Sequence, residues 1–366
     1  MDKENIERWV DQVAKELSLH VHHVGAVAEM LAEGATIPFI ARYRKERTNS
    51  MDEVMIANIR DRIEQLRELD KRRESVISSI EKQGKLTVEL MQAVVSAHTL
   101  AELEDIYLPF KPKRKTRASV AKEKGLEPLA QKLFDQEKID VYNFASSFIN
   151  EEKGVASSEE ALEGARDIIA EWISENQETR KNIRELFWSE GVIESRVLKG
   201  KESDGQKYKD YFEWKEQVRS TPSHRLLAMR RGEKEGILAL DIFPAEESAI
   251  HAIEQQFVRS ANESAEQIKL AIKDGYKRLL RPSMETEIRM ETKMKADEEA
   301  IKVFAANLKE LLLAPPLGQK TVLAIDPGFR TGCKVVCLDQ QGKLLHYEAI
   351  FPNEPQRELA KSKAVI

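Results

Sequence analysis

A mainly α chain that changes to β-strands near its end is the fold class this sequence predicts. Three observations predict it. Apolar residues recur at three- and four-residue spacing over most of residues 6–312. Ala314-Pro315-Pro316-Leu317-Gly318 then ends that rhythm, because proline neither continues a helix nor favours one in the residue before it. Beyond it come short β-prone runs separated by glycine. The chain has 366 residues, 41% hydrophobic and 33% charged, which suits a folded, helix-rich protein of two or three domains.

The first stripe is Ile6, Trp9, Val10, Val13 and Leu17, the second Val21, Val24, Val27 and Leu31, with Gly34 as a helix stop. Two short helices in succession allow a helix-turn-helix. Residues 52–82 hold one rhythm through Ile56, Ile59, Ile63, Leu66 and Leu69, which predicts a long helix packed along one side, with Lys71, Arg72 and Arg73 solvated. Gly84 breaks it and Thr87 caps the next. Thr99 with Glu102, and Ser157 with Glu160, have the spacing of capping boxes. The second opens a helix that buries Leu162, Ala165, Ile169, Trp172 and Ile173.

Residues 191–242 loosen into a small irregular layer, with a β-prone run at 237–242. Helical signal returns near Ala245 and is longest over 283–313, with apolar positions at Ile288, Val303, Phe304, Leu308, Leu311 and Leu312. The sequence thus divides into a helical region at 1–313, a linker at 314–319 and an incomplete domain at 320–366. Residues 321–325, 333–338 and 344–350 read as strands of a β meander with a turn at Gly342, too few to close a core.

A net charge of -5 argues against a dedicated duplex-packaging protein, so any nucleic-acid surface is local. The two cysteines, Cys333 and Cys337, make no disulfide framework and suit a reducing cytoplasm. They share a strand face, but two thiols with no nearby histidine make a poor zinc site. The first ten residues are too charged for a secretory signal, and no apolar run reaches the roughly 20 residues of a membrane span.

Two clusters carry positive charge. Ile37-Pro38-Phe39-Ile40-Ala41 leads into Arg42, Tyr43, Arg44, Lys45, Glu46 and Arg47. This segment is either a phosphate grip with Tyr43 available for stacking, or a connector whose charges are solvated or paired. Lys111, Lys113, Arg114, Lys115 and Arg117 put five cations and no acid into residues 111–117, and Pro109 and Pro112 extend the start of the run. Such a run repels itself unless an anion neutralises it. The alternative is pairing with Glu102, Glu104 and Asp105.

His224 lacks a partnered nucleophile nearby, which favours a structural hydrogen bond over catalysis. Asp326 ends a strand before Pro327-Gly328 and Arg330, a position suited to a magnesium ligand of ribonuclease-H-like nucleases or to an ATPase phosphate loop. Either use needs more carboxylates. Asp339 is the other nearby acid, expected at the hairpin turn, and Arg330 is placed to pair with Asp326.

Several strings together resemble the Tex family of bacterial transcription accessory proteins. They are Gly34-Ala35-Thr36-Ile37-Pro38-Phe39-Ile40-Ala41-Arg42-Tyr43-Arg44-Lys45-Glu46, Leu103-Glu104-Asp105-Ile106-Tyr107-Leu108-Pro109-Phe110-Lys111-Pro112-Lys113, Pro222-Ser223-His224-Arg225, Arg231-Gly232-Glu233, Asp274-Gly275-Tyr276-Lys277-Arg278-Leu279-Leu280-Arg281-Pro282-Ser283 and Ala324-Ile325-Asp326-Pro327-Gly328-Phe329-Arg330-Thr331-Gly332. They run in family order.

The resemblance implies an extended helical scaffold with a helix-turn-helix-like amino-terminal part, then a ribonuclease-H-like domain of the YqgF type from about Lys320, of which this chain holds the first strands. Helix-hairpin-helix units and an S1 RNA-binding domain would follow and do not fit here. It also implies binding to RNA or DNA with little sequence preference, kinship to a eukaryotic transcription elongation factor, and a YqgF domain without a working nuclease site, so that Asp326 is vestigial. The expectation is a cytoplasmic, non-enzymatic accessory protein in transcription or RNA metabolism, with no cofactor, no metal and no membrane partner. Its rivals are a metal-dependent nuclease in a longer chain and a scaffold that contacts polymerase or ribosome.

Overall fold

The computed structural model describes residues 3–112, 114–328, 332–353 and 356–366. They divide into two compact units, Met1–Ala296 and Asp297–Ile366.

The first unit opens with α1 (Lys3–Glu16), α2 (Val21–Ala32), α3 (Ile37–Tyr43) and α4 (Lys45–Thr48), packed with the start of the 30-residue α5 (Glu53–Lys82). Their buried residues, among them Trp9, Val13, Val24, Val27, Ile40, Ile56 and Ile59, form one cluster. Each such side chain removed from water contributes about 1.5–3 kcal/mol. Gly34 follows α2 at a φ of 89°, a conformation that disfavours any residue with a Cβ. Asp52 caps α5 by accepting from the Met55 amide at 2.8 Å.

The later half of α5 is covered by α6 (Val88–Ser96) and α7 (Leu100–Tyr107), which bury Val76, Ile80, Val94 and Leu103 against it. That cover changes the fate of two of the three cations expected in solvent. Lys71 is exposed, but Arg72 pairs with Glu104 at 2.6 Å. Arg73 is mostly buried, pairs with Asp70 and donates to the Ala97 carbonyl. The caps also differ in detail. Thr99 and Ser157 accept from the amides of Glu102 and Glu160, but those glutamates reach the amides of His98 and Ala156, one residue before the caps.

The main core is helical. α8 (Arg117–Glu123), α9 (Glu127–Phe134) and α10 (Val141–Ser146) surround α11 (Ser158–Glu175), which buries Leu162, Ala165, Ile169 and Ile173 with Trp172 partly covered. α12 (Gln177–Glu190) leads to the interval read as irregular, and here the structure is more regular than expected. β1 (Val192–Val197), β2 (Glu213–Gln217) and β3 (Leu238–Phe243) form an antiparallel sheet in the order β2-β1-β3. Ile193 pairs with Ile242, and both are buried in the helical core. Residues 223–234, within the interval read as irregular, form the 12-residue α13 (Ser223–Lys234).

α14 (Glu246–Phe257) and α15 (Glu263–Gly275) follow, then a π-helical turn, Tyr276–Leu280, and the 32-residue α16 (Arg281–Leu312). At Gly275 an added Cβ would lie 3.2 Å from the Ala170 Cβ, so close packing on α11 favours glycine there. Met284 and Ile288 of α16 are buried, whereas Val303, Phe304, Leu308, Leu311 and Leu312 are exposed.

In the second unit β4 (Val322–Asp326), β5 (Cys333–Leu338) and β6 (Leu344–Ile350) make the expected antiparallel meander, followed by α17 (Leu359–Val365). Cys333, Val335 and Ile350 form its small core. Among the described residues no helix is long and apolar enough to cross a membrane.

Candidate nucleic-acid interface

The first basic cluster lies on the α3–α4 pair. Ile40 and Ala41 are buried, which turns Phe39, Arg42 and Tyr43 outward. Phe39 and Tyr43 are 40% and 66% exposed, with ring centroids 5.6 Å apart. Arg44 sits at the break between the helices. Its Nη1 donates to the Tyr43 carbonyl at 2.9 Å, and its guanidinium lies 4.9 Å from the Phe39 centroid. Arg42 is 68% exposed and meets Glu53 only at 3.7 Å. Lys45 is exposed and makes no ion pair among the described residues. Arg47 is engaged, pairing with Glu29 at 2.5 Å.

The second cluster is extended at its start, as expected, although not from Pro109 onward. Pro109 lies in a 3-10 turn, Leu108–Phe110, and the chain becomes extended at Lys111, with a ψ of 128°. Pro109 at the start of a short turn needs no amide donor, which explains the tolerance. The run ends in α8, capped by a reciprocal Thr116–Ser119 box. The three acids that offered a pairing alternative are occupied elsewhere. Glu102 holds the His98 amide, Glu104 holds Arg72, and Asp105 is buried between Arg180 and Arg184. Lys111 and Arg114 are exposed without an ion pair among the described residues, and Lys115 meets the exposed Glu123 at 3.0 Å. Arg117 is exposed near Asp167, whose carboxyl is pushed up by burial against the pull of Arg278 and then Arg117. Lys113 lies outside the described residues.

Asp326 ends the edge strand β4, exposed, opposite Lys334. Asp339 closes the turn after β5, accepting from the amides of Gln341 and Lys343 at 2.9 and 2.8 Å. Leu338 is opposite Val322 and Asp339 lies one residue further, so the two acids lie at opposite ends of the hairpin, about 16 Å apart along the strands at a rise of about 3.3 Å per residue. That is too far to ligate one ion together. Arg330, the expected partner of Asp326, is outside the described residues. Among the described residues no three His, Cys, Asp or Glu are grouped to hold a metal ion. Cys333 and Cys337 are free and on one face of β5.

His224 does not fill the structural role expected of it. It is exposed on the first turn of α13 and makes no hydrogen bond among the described residues. Arg225 beside it does the structural work, pairing with Glu216 at 3.0 Å over the Trp214 ring.

Sequence reasoning missed two features. Asp105, Arg180, Arg184 and Glu287 form a partly buried network that ties α7 to α12 and α16. Burial opposes the Arg184 charge, but hydrogen bonds to Glu287 and Asp105 outweigh it and raise its pKa. No local signal marks a network whose arginines lie more than 70 residues from their carboxylates in sequence. The exposed ring of Phe39 was also missed, although its spacing of four from Tyr43 on a helix was a usable signal.

Three family models match successive parts of the chain: Tex-like protein N-terminal domain at residues 7–81, Tex central region-like at 136–304, and Tex protein YqgF-like domain at 320–366. The chain is 45% identical over 347 residues to the uncharacterized protein YdcI of Bacillus subtilis (strain 168), covering 94% of this chain and 48% of that protein. It is 40% identical over 375 residues to the transcriptional accessory protein Tex of Neisseria gonorrhoeae, covering 99% and 48%. It is 28% identical over 381 residues to S1 RNA-binding domain-containing protein 1 of Homo sapiens, covering 100% and 37%. The chain thus spans about half the length, or less, of these relatives.

Proposed function

The chain belongs to the Tex family, and from that premise we propose that it is a non-enzymatic accessory protein in transcription or RNA metabolism that binds RNA or DNA with little sequence preference. The observation that carries this reading is the state of residues 111–117. Their neighbouring acids are occupied by Arg72, Arg180, Arg184 and the His98 amide, so Lys111 and Arg114 keep their charge for an outside anion. Arg42, Arg44 and Lys45 would add contacts, and Lys113, Lys115 and Arg117 would extend the run. Cations that meet phosphates bind by charge and read no bases. Free thiols at Cys333 and Cys337 suit a cytoplasmic setting.

The test is a titration against single-stranded RNA, single-stranded DNA and duplex at several salt concentrations. Replacing Lys111, Arg114 and Lys115 with Ala should weaken binding about equally for all sequences. It should flatten the salt dependence by about 2–3 units of slope, near 0.7–0.9 per phosphate contact. Unchanged affinity and slope would remove the run from the interface.

On this reading Asp326 is vestigial and the chain cleaves nothing. Two-metal catalysis needs several carboxylates around ions about 3.5–4 Å apart, and Asp339 is held in a turn. Incubation with RNA, RNA–DNA hybrid or a four-way junction in Mg²⁺ or Mn²⁺ should give no products. Cleavage abolished by Asp326→Asn would establish a nuclease instead. A protein scaffold that contacts polymerase or ribosome is the second reading, favoured by exposed Leu308, Leu311 and Leu312 on α16. Nuclease-resistant co-purification of either assembly, lost in Leu311→Asp, would support it.

A further inference from the structure

Charge alone does not explain the face of α3. We propose that Phe39 and Tyr43 form a base-stacking platform, so that this face takes single-stranded nucleic acid in preference to duplex. The inference rests on the nucleic-acid reading above and narrows its substrate class.

A seven-residue helix that buries only Ile40 and Ala41 has little apolar surface to spare, yet it holds two aromatic rings in water. The rings are four residues apart, on one face, with centroids 5.6 Å apart and planes tilted by 42°. Arg44 lies over one face of Phe39, its guanidinium 4.9 Å from the ring centroid, and offers its own planar cation as a stacking surface beside Tyr43. Arg42 and Lys45 flank Tyr43 and Arg44 in sequence, and both are exposed for a strand's phosphates. Of the nearby acids, Glu29 is held by Arg47 and Glu53 is 3.7 Å from Arg42, which leaves Glu46 against the remaining cations. The face is therefore positive as well as aromatic. A protein partner would use the rings as apolar bulk and would have no need of the flanking cations. A duplex keeps its base faces inside the stack, so it can meet the cations but not the rings. A single strand meets both, and because every base has a π-face the platform needs no particular sequence.

The experiment measures binding of the chain to labelled oligothymidylate and to a mixed-sequence duplex of equal length. The variants are Phe39→Leu/Tyr43→Leu, which keeps apolar bulk but removes the π-faces, and Tyr43→Trp, which keeps a stacking surface. The leucine variant should lose about 5- to 150-fold in single-strand affinity per ring, with duplex affinity and both salt slopes unchanged. Tyr43→Trp should bind the single strand at least as well as the parent. Circular dichroism and a thermal melt equal to the parent's show that the leucine variant is folded; should it melt early, the Tyr43→Leu single variant, altering the more exposed ring, carries the same comparison. An unchanged single-strand affinity, or an equal loss on both ligands, overturns the platform and leaves the charge-based function standing. If the parent binds neither ligand, both fall.

Discussion

Asp105 shows how much a single residue decides. It is buried and accepts from Arg180 and Arg184, so removing its charge leaves two guanidinium groups short of a partner in the core, with Glu287 as their remaining carboxylate. Asp105→Asn is expected to cost about 3–5 kcal/mol by urea unfolding, since an unpaired buried charge is far more costly than a missing pair. A loss below about 1 kcal/mol would mean that water reaches the network. Replacing Asp105, Arg180, Arg184 and Glu287 together by apolar residues should recover most of the loss.

Tyr276 offers a pH test at the same scale. Its hydroxyl is buried without a hydrogen-bond partner among the described residues, and burial pushes its pKa from 10.0 to about 12. The unfolded chain therefore loses this proton first. Stability linked to Tyr276 is intact below pH 10 and declines as pH rises from about 10 to about 12, by on the order of 2 kcal/mol. Tyr276→Phe should remove that part of the decline and leave neutral-pH stability equal or slightly higher. Parallel parent and variant curves from pH 9 to 12 would contradict it.

Among elements, α8 is the short helix that follows the basic run, and it is capped by a reciprocal box. Thr116 accepts from the Ser119 amide at 3.0 Å, Ser119 accepts from the Thr116 amide at 2.9 Å, and the Thr116 hydroxyl donates to Glu171 at 3.1 Å. Thr116→Val is expected to destabilise the first unit by about 1 kcal/mol. Combined with Ser119→Ala it should cost less than the sum of the singles, because the two share one box. Strict additivity in a double-mutant cycle would show that the hydroxyls act separately. Binding of nucleic acid should weaken as well if α8 sets the direction of Lys111, Arg114 and Lys115.

For the molecule as a whole, the two compact units divide after Ala296 within α16, while the proline-rich break comes later, after Leu312. Limited proteolysis should therefore cut first within residues 297–320 and release a fragment that keeps the first unit's cooperative melt. Exposed backbone with few tertiary partners is where proteases act. First cuts within residues 192–243 would mean that the β2-β1-β3 sheet is less firmly held than its buried face implies.

The sequence by itself determined the helical stripes, the stops at Gly34 and Pro315-Pro316, the three strands of the meander and the family, because each is written in neighbouring residues whose spacing or order has a local physical meaning. It also marked the basic runs, as composition. Only the tertiary structure decided which cations are available. Arg72, Arg180 and Arg184 are engaged by carboxylates brought to them by folding, whereas Lys45, Lys111 and Arg114 make no ion pair among the described residues. Of the sheet over residues 192–243 the β3 run was legible, but β1 and β2 were hidden, since they are short and their partners lie across long connections. Charge is a property of a residue, but the pairing of a charge depends on distances that only the packed chain sets.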